Sequence, residues 1–324
     1  MIFTRQGLIV GIAAVLTAVA GPLAAQTWPT KPVRIIVPFP PGAATDIQGR
    51  FIAQKLTEAL GQQVIVDNRP GANGTLGLAL AAKSVPDGHT IVLGQTGNLA
   101  ISPSLTKVPY DPLRDFAPIS LTVSSPHVIA VHPSLPARSV KELVALARAR
   151  PGQMNYASTG AGSAGHLGVE LFKKQTRIDI VHVPYKGAVM GFTDLVAGHV
   201  TMMFTSVLST QSFARAGRVR MLGVASQKRS PSAPDVPTIA ESGFPGVEVT
   251  SWWGLLAPAS TPPEIVARLN AELVKILASQ DARERIGDLG ADIASSTPQQ
   301  FVDFMRTEHT KWAQLIKESG AKVE

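Results

Sequence analysis

The sequence predicts an α/β protein of two lobes, and three observations predict it. Short β-branched runs alternate with stretches of helical periodicity along the chain. A length of 324 residues suits about two domains. No internal repeat and no low-complexity linker separates the blocks, so the lobes are expected to share crossing strands rather than a flexible tether. The alternation of strand and helix implies a parallel sheet with helices on both faces.

The first strand covers 33–37 and stops at Pro38-Phe39-Pro40-Pro41-Gly42. A helix follows over 47–60, apolar at Ile47, Phe51, Ile52, Leu56 and Leu60, and Gly61 ends it. A strand at 64–66, a helix at 76–82 and a strand at 91–93 complete the first block. The second block opens with a strand at 128–131. Ser139 caps a helix over 140–148, with Glu142 at a capping-box position. Strands at 155–157, 180–183 and 200–204 alternate with helices at 167–174 and 192–197. Strands at 219–224 and 252–256 lead to helices at 263–277 and 298–317, the first with Pro262-Pro263 in its opening turn. The chain ends are expected in one lobe (26–122 and 226–324) and the middle (123–225) in the other.

Composition narrows the function. There is no cysteine, which excludes disulfides, thiolate metal sites, cysteine nucleophiles and a lipid-attachment cysteine. The net charge is +7, but no basic run exceeds Lys173-Lys174 and there is no zinc-finger spacing, so nucleic acid is not an expected partner. A mild positive field does favour encounter with an anion. The histidines show no metal spacing, and neither a metal nor a cofactor is expected. At the N-terminus, Arg5 is the only charge before Lys31. Residues 7–20 are almost wholly apolar, and small residues follow. This pattern predicts a signal peptide over 1–25, cut after Ala24 or Ala25. Gly21-Pro22 and the lack of a basic flank argue against a membrane anchor, so a soluble exported protein is expected.

Two loops carry the chemistry. One is Pro38-Phe39-Pro40-Pro41-Gly42-Ala43-Ala44-Thr45-Asp46; the other is Ser158-Thr159-Gly160-Ala161-Gly162-Ser163-Ala164-Gly165-His166. Both join a strand to a helix and are rich in small residues. A helix N-terminus offers free N–H groups and a positive dipole end, and small residues let an anion approach them. Neither loop holds Lys or Arg, which points to carboxylate capture by backbone amides and hydroxyls. Two other readings attach to the second loop. Gly160, Gly162 and Gly165 match a dinucleotide fingerprint, but the next strand ends Val183-Pro184-Tyr185-Lys186 without the acid that fingerprint needs. Ala161-Gly162-Ser163-Ala164-Gly165 approaches a nucleophile elbow, which leaves an exported serine hydrolase using Ser163, with Asp194 and His309 in the required order, as the alternative.

Dispersed blocks then point to a family. They include Trp28-Pro29-x-Lys31-Pro32, Pro38-Phe39-x-Pro41-Gly42-x-x-x-Asp46, Asp67-Asn68-Arg69-Pro70-Gly71-Ala72, Gly162-Ser163-x-Gly165-His166 and Val183-Pro184-Tyr185-Lys186-Gly187. From Trp28 onward the chain resembles the periplasmic receptors of tripartite tricarboxylate transporters, the Bug family. The resemblance implies a type II periplasmic-binding-protein fold that closes on a small carboxylate. It implies a monomer that hands its ligand to membrane transporter subunits. It places Pro41, Gly42, Ala43 and Asp46 in the first ligand loop and Ser158, Gly162, Ser163 and His166 in the second, with Asp46 ordering water. Ala43 stands where the family usually has a second glycine. Thr205 stands where many relatives have Asp, so the expected ligand carries no ammonium group.

Overall fold

The computed structural model describes residues 28–319, so the signal peptide expected over 1–25 lies outside the described residues. The first half of the chain forms Val33–Val37 (β1), Ala44–Leu60 (α1), Val64–Asn68 (β2), Thr75–Ala82 (α2), Thr90–Gln95 (β3), Ser102–Leu105 (α3) and Phe116–Val131 (β4). Next come Val140–Ala149 (α4), Asn155–Ser158 (β5), Ala164–Thr176 (α5), Val181–Pro184 (β6), Ala188–Ala197 (α6), Met202–Ser206 (β7), Val207–Arg215 (α7) and Arg220–Val224 (β8). The chain closes with Thr250–Pro258 (β9), Pro263–Ala278 (α8), Gln280–Asp288 (α9), Asp292–Ile293 (β10) and Pro298–Ser319 (α10).

The strands run in the order β2-β1-β3-β9-β4-β7-β5-β6, with β8 and β10 also paired to β4. The βα units pair in parallel: β1 with β2 and β3, and β5 with β6 and β7. The expectation of a parallel sheet is otherwise corrected, because β9 runs antiparallel to β3 and β4, and β4 antiparallel to β7 and β8. β9 is reached from β8 through residues 225–249, which hold no helix, and β4 from β3 through the short helical segment 97–105 and the loop 106–115, so neither follows a full crossover helix and both are free to pair antiparallel.

β4 organises the molecule. It is 16 residues long, and Phe116–Pro126 pairs with β9 while His127–Val131 pairs with β7 and β8. The sequence suggested only 128–131, because Pro118, Pro126 and the serines between them break any strand pattern. Pairing on both edges overrides that weak propensity. The helices α7 and α9 were also not expected. In α7 the Ser and Thr content hides the period, yet Ser206 Oγ accepts from Ser209 N–H and caps it.

Three tryptophans lock the frame. The Trp252 and Trp312 indoles both donate to Glu308 Oε2, at 2.8 and 3.0 Å, which fastens α10 to β9. Trp253 Nε1 donates to Thr45 Oγ1 at 2.9 Å and so ties β9 to the first turn of α1. Residues 226–249 pack on β8 and α5: Val224 bridges Thr238, and Phe244 meets Phe172 edge-on at 6.3 Å.

Candidate functional site

The first loop leaves β1 through prolines and turns at Gly42, whose φ of 80° is open to glycine at no steric cost. Asp46 then reaches back. Its Oδ2 accepts from Gly42 N–H and Arg50 Nε, and its Oδ1 from Asn68 Nδ2, each at 2.9 Å. Burial pushes this carboxyl up, but Arg50, the Gly42 N–H and Asn68 together outweigh burial and hold it below the usual carboxylate range. Asp46 therefore acts as the clasp of the loop, and both its oxygens are engaged within the protein.

The second loop is held at both ends. Ser158 Oγ accepts from Gly160 N–H at 3.1 Å and lies 2.7 Å from His182 Nε2. Ser163 Oγ caps α5 by accepting from His166 N–H at 3.2 Å. Gly162, at φ 73°, donates its N–H to His166 Nδ1 at 3.2 Å. Gly165 has a different task. A Cβ there would sit 2.4 Å from the Phe204 carbonyl, so glycine lets α5 press against β7. Helix packing thus accounts for the third glycine of the apparent dinucleotide fingerprint.

The loops bound a cleft of about 810 Å³, lined on one side by Phe39 and residues 70–75 and on the other by residues 159–162 and 184–186. Beneath it lies a chamber of about 50 Å³, and Phe39, Asn73 and Thr159 line both. The starts of four helices meet at this chamber: Ala43 to Thr45 of α1, Ser163 to Gly165 of α5, Gly187 and Ala188 of α6, and Ser206 and Ser209 of α7. Ala43 and Gly187 supply no side-chain cap to their helices. Among the described residues, no acidic, lysine or arginine side chain lines the chamber. His127 does, with Nε2 2.7 Å from Ser251 Oγ and Nδ1 without a partner; burial pushes it down to about 3, so it is neutral. Asn73 Oδ1 is likewise buried without a partner. Unsatisfied polar atoms gathered around a void mark a place for a polar guest. A groove of about 1040 Å³ also lies between α7, residues 231–236 and α9, but it is lined by the C-terminal end of α7 and by charges of both signs, with no converging helix starts.

Of the residues expected from sequence, Ala43, Ser163 and Thr205 line the chamber and Gly162 lines the outer cleft. Pro41 and Gly42 are exposed and line neither; Asp46, Ser158 and His166 stand behind the loops and shape them. Sequence reasoning missed Asn73, Gln95, Ser209 and Ser251, which come from separate elements, and quoted Thr159 in the second loop without assigning it a role. It quoted Lys186 at a strand end and in a family block but gave it no part in the site, yet Lys186 is the one charged side chain lining the cleft or chamber among the described residues. The hydrolase constellation does not assemble. Asp194 accepts from Tyr185 OH at 2.5 Å and lies 3.4 Å from His199 Nδ1, while His309 is on α10 and lines neither cavity.

Two opposed loops at the C-terminal ends of strands, over a chamber ringed by helix starts, define a two-lobed α/β solute-binding protein. The chain belongs to the tripartite tricarboxylate transporter family receptors, whose pattern it matches over residues 49–321. BugT of Bordetella pertussis (strain Tohama I) is 36% identical over the whole of both chains. Among solved structures, R. palustris Rpa4515 with adipate is similar at a TM-score of 0.89 and 36% identity, over 91% of this chain and 100% of that one. MatC of Rhodopseudomonas palustris with bound malate is similar at a TM-score of 0.84 and 32% identity, over 89% and 100%. These likenesses favour a receptor over a serine hydrolase.

Proposed function

We propose that this protein captures a small carboxylate, with one carboxylate group in the inner chamber and the body of the ligand in the outer cleft, and delivers it to membrane transporter subunits without chemical turnover. The observation that carries this reading is the convergence of four helix N-termini on a chamber free of acidic groups. Each helix start contributes about half a positive charge and unpaired N–H groups, worth roughly 0.3–1 kcal/mol apiece toward an anion and more when partly buried. A volume of about 50 Å³ suits a carboxylate group rather than a whole ligand. Lys186 lies in the lining of the outer cleft, where a second carboxylate would meet it, so a dicarboxylate fits best. Adipate and malate in similar receptors support this class. Thr205 in place of an acid, and a neutral His127, leave no counter-charge for an ammonium group in the chamber.

The protein works as an exported monomer after loss of residues 1–25. Its lobes meet where β4 passes from one sheet to the other near His127. Residues 226–249, expected with the terminal lobe, pack on β8 and α5, which supports a return crossing at the start of β9.

The test is calorimetry of the purified protein with adipate, malate, succinate, citrate, terephthalate, aspartate and glutamate. Binding of at least one member of the first five, with weak or no binding of the amino acids, is expected. Tight binding of aspartate or glutamate alone would overturn the reading, as would ester hydrolysis that vanishes in Ser163→Ala.

A further inference from the structure

We propose that His166 is a positioning residue: as a neutral imidazole it holds the second glycine loop in the shape that receives ligand, and it lets go of that loop when protonated. The inference rests on the reading of the cleft as the ligand site, but its geometry stands apart from any ligand. Residues 159–162 line the outer cleft, and Thr159 with residues 163–165 lines the chamber. Glycines at φ 130° (Gly160) and 73° (Gly162) give this segment a backbone with many alternatives, so something must select one.

Two stacked imidazoles do the selecting. The rings of His166 and His182 lie 4.2 Å apart and 12° from parallel, and His182 stacks in turn on Tyr156 at 4.9 Å and 20°. His182 reaches the loop through Ser158 Oγ, which takes the Gly160 N–H. His166 takes the Gly162 N–H directly on Nδ1. That bond fixes the tautomer: Nδ1 must present its lone pair, and the ring proton sits on Nε2. A second proton, on Nδ1, would set two N–H groups face to face. It would also place a positive charge against the second imidazole, itself half-buried.

The charged groups around the pair are few. On α5, Glu170 accepts from Tyr156 OH at 2.9 Å and from Lys173 Nζ at 3.1 Å, so its charge is matched close by. From β6 comes His182, and from β5 Tyr156, whose hydroxyl burial keeps protonated. Burial lowers His166 below the ordinary imidazole value, with Glu170 opposing and Lys173 assisting; burial, then the neighbouring His166, lowers His182 to about 4. With the folded values depressed, the ordered loop is fully present above the ordinary imidazole pKa and is lost as pH falls through the depressed values.

Hydrogen exchange of peptides spanning 158–166, corrected for intrinsic rate, tests this without a ligand. It is measured from about pH 8 to about pH 4.5 on the parent, His166→Asn and His166→Leu. Asparagine keeps an acceptor near the Nδ1 position and does not titrate. The parent loop should lose roughly tenfold in protection on acidification, the factor one hydrogen bond supports. His166→Asn should stay protected throughout, and His166→Leu should be unprotected at every pH. Imidazole nitrogen chemical shifts at neutral pH should show Nδ1 unprotonated in His166. A parent loop whose protection follows His166→Asn at all pH values, or a His166→Leu loop as protected as the parent, overturns the proposal. A loop that responds as expected in a protein binding none of the carboxylates named above would sink the receptor reading and leave this inference standing.

Discussion

His127 sits where β4 leaves one sheet for the other, 5.2 Å from the Phe204 ring, lining the chamber with one nitrogen on Ser251 and the other buried without a partner among the described residues. Burial pushes its imidazole from the ordinary value down to about 3. The unfolded chain therefore binds a proton that the folded protein refuses. The stability tied to neutral His127 is intact above the ordinary imidazole pKa and declines as pH falls toward about 3. Each pH unit in that window costs about 1.4 kcal/mol per group. Urea midpoints should fall more steeply between about pH 6.5 and about pH 4.5 for the parent than for His127→Gln. Parallel slopes would show that His127 is not the acid-sensitive group. Glu308 matters through its hydrogen bonds instead, since one oxygen serves two indoles. Glu308→Ala leaves both N–H groups buried and unpaired, and should cost about 2–4 kcal/mol in urea unfolding.

Helix starts are the elements that matter most. Ser163 is the cap of α5, so Ser163→Ala should lose about 1 kcal/mol of stability and show no difference in ester turnover. Gly165 sets how closely α5 sits on β7. Its replacement by Ala drives a Cβ against the Phe204 carbonyl, and backbone cannot yield as a side chain would. Carboxylate affinity should fall at least about tenfold in Gly165→Ala, while far-ultraviolet circular dichroism stays that of the parent. Unchanged affinity would mean that the start of α5 does not contribute to the site. Trp253 performs the matching task for α1 through Thr45, from a strand more than two hundred residues away in sequence.

At the scale of the molecule, β4 and β9 carry the connection between the two halves, and the cleft lies between the loops those halves present. A ligand gripped from both sides stabilises the fold by mass action, about 2.7 kcal/mol at a hundred times its dissociation constant. The expected outcome is a thermal midpoint that rises with the concentration of the best-binding dicarboxylate. A scattering radius of gyration that shrinks on saturation should accompany it. A midpoint that rises with no change in radius would limit the response to one half.

The sequence by itself determined the α/β class, the loops at 38–46 and 158–166, and the small-residue chemistry that suits an anion. These are local properties: β-branched runs, helical periods, and glycine and proline punctuation act within a few residues of themselves. It did not reveal residues 116–127 of β4, since Pro118 and Pro126 read as breakers and pairing, chiefly with β9, makes a strand there. Nor did it separate residues that line the chamber from those that hold the loops. Asp46 and His166 carry the same motif signature as Ser163, yet the first two turn inward to Gly42 and Gly162. Asn73, Gln95, Ser251 and the start of α7 reach the chamber from elements distant in sequence. Only the tertiary structure brings them together, because helix starts converge through the packing of whole strands and helices, and no local pattern encodes where another element's dipole will point.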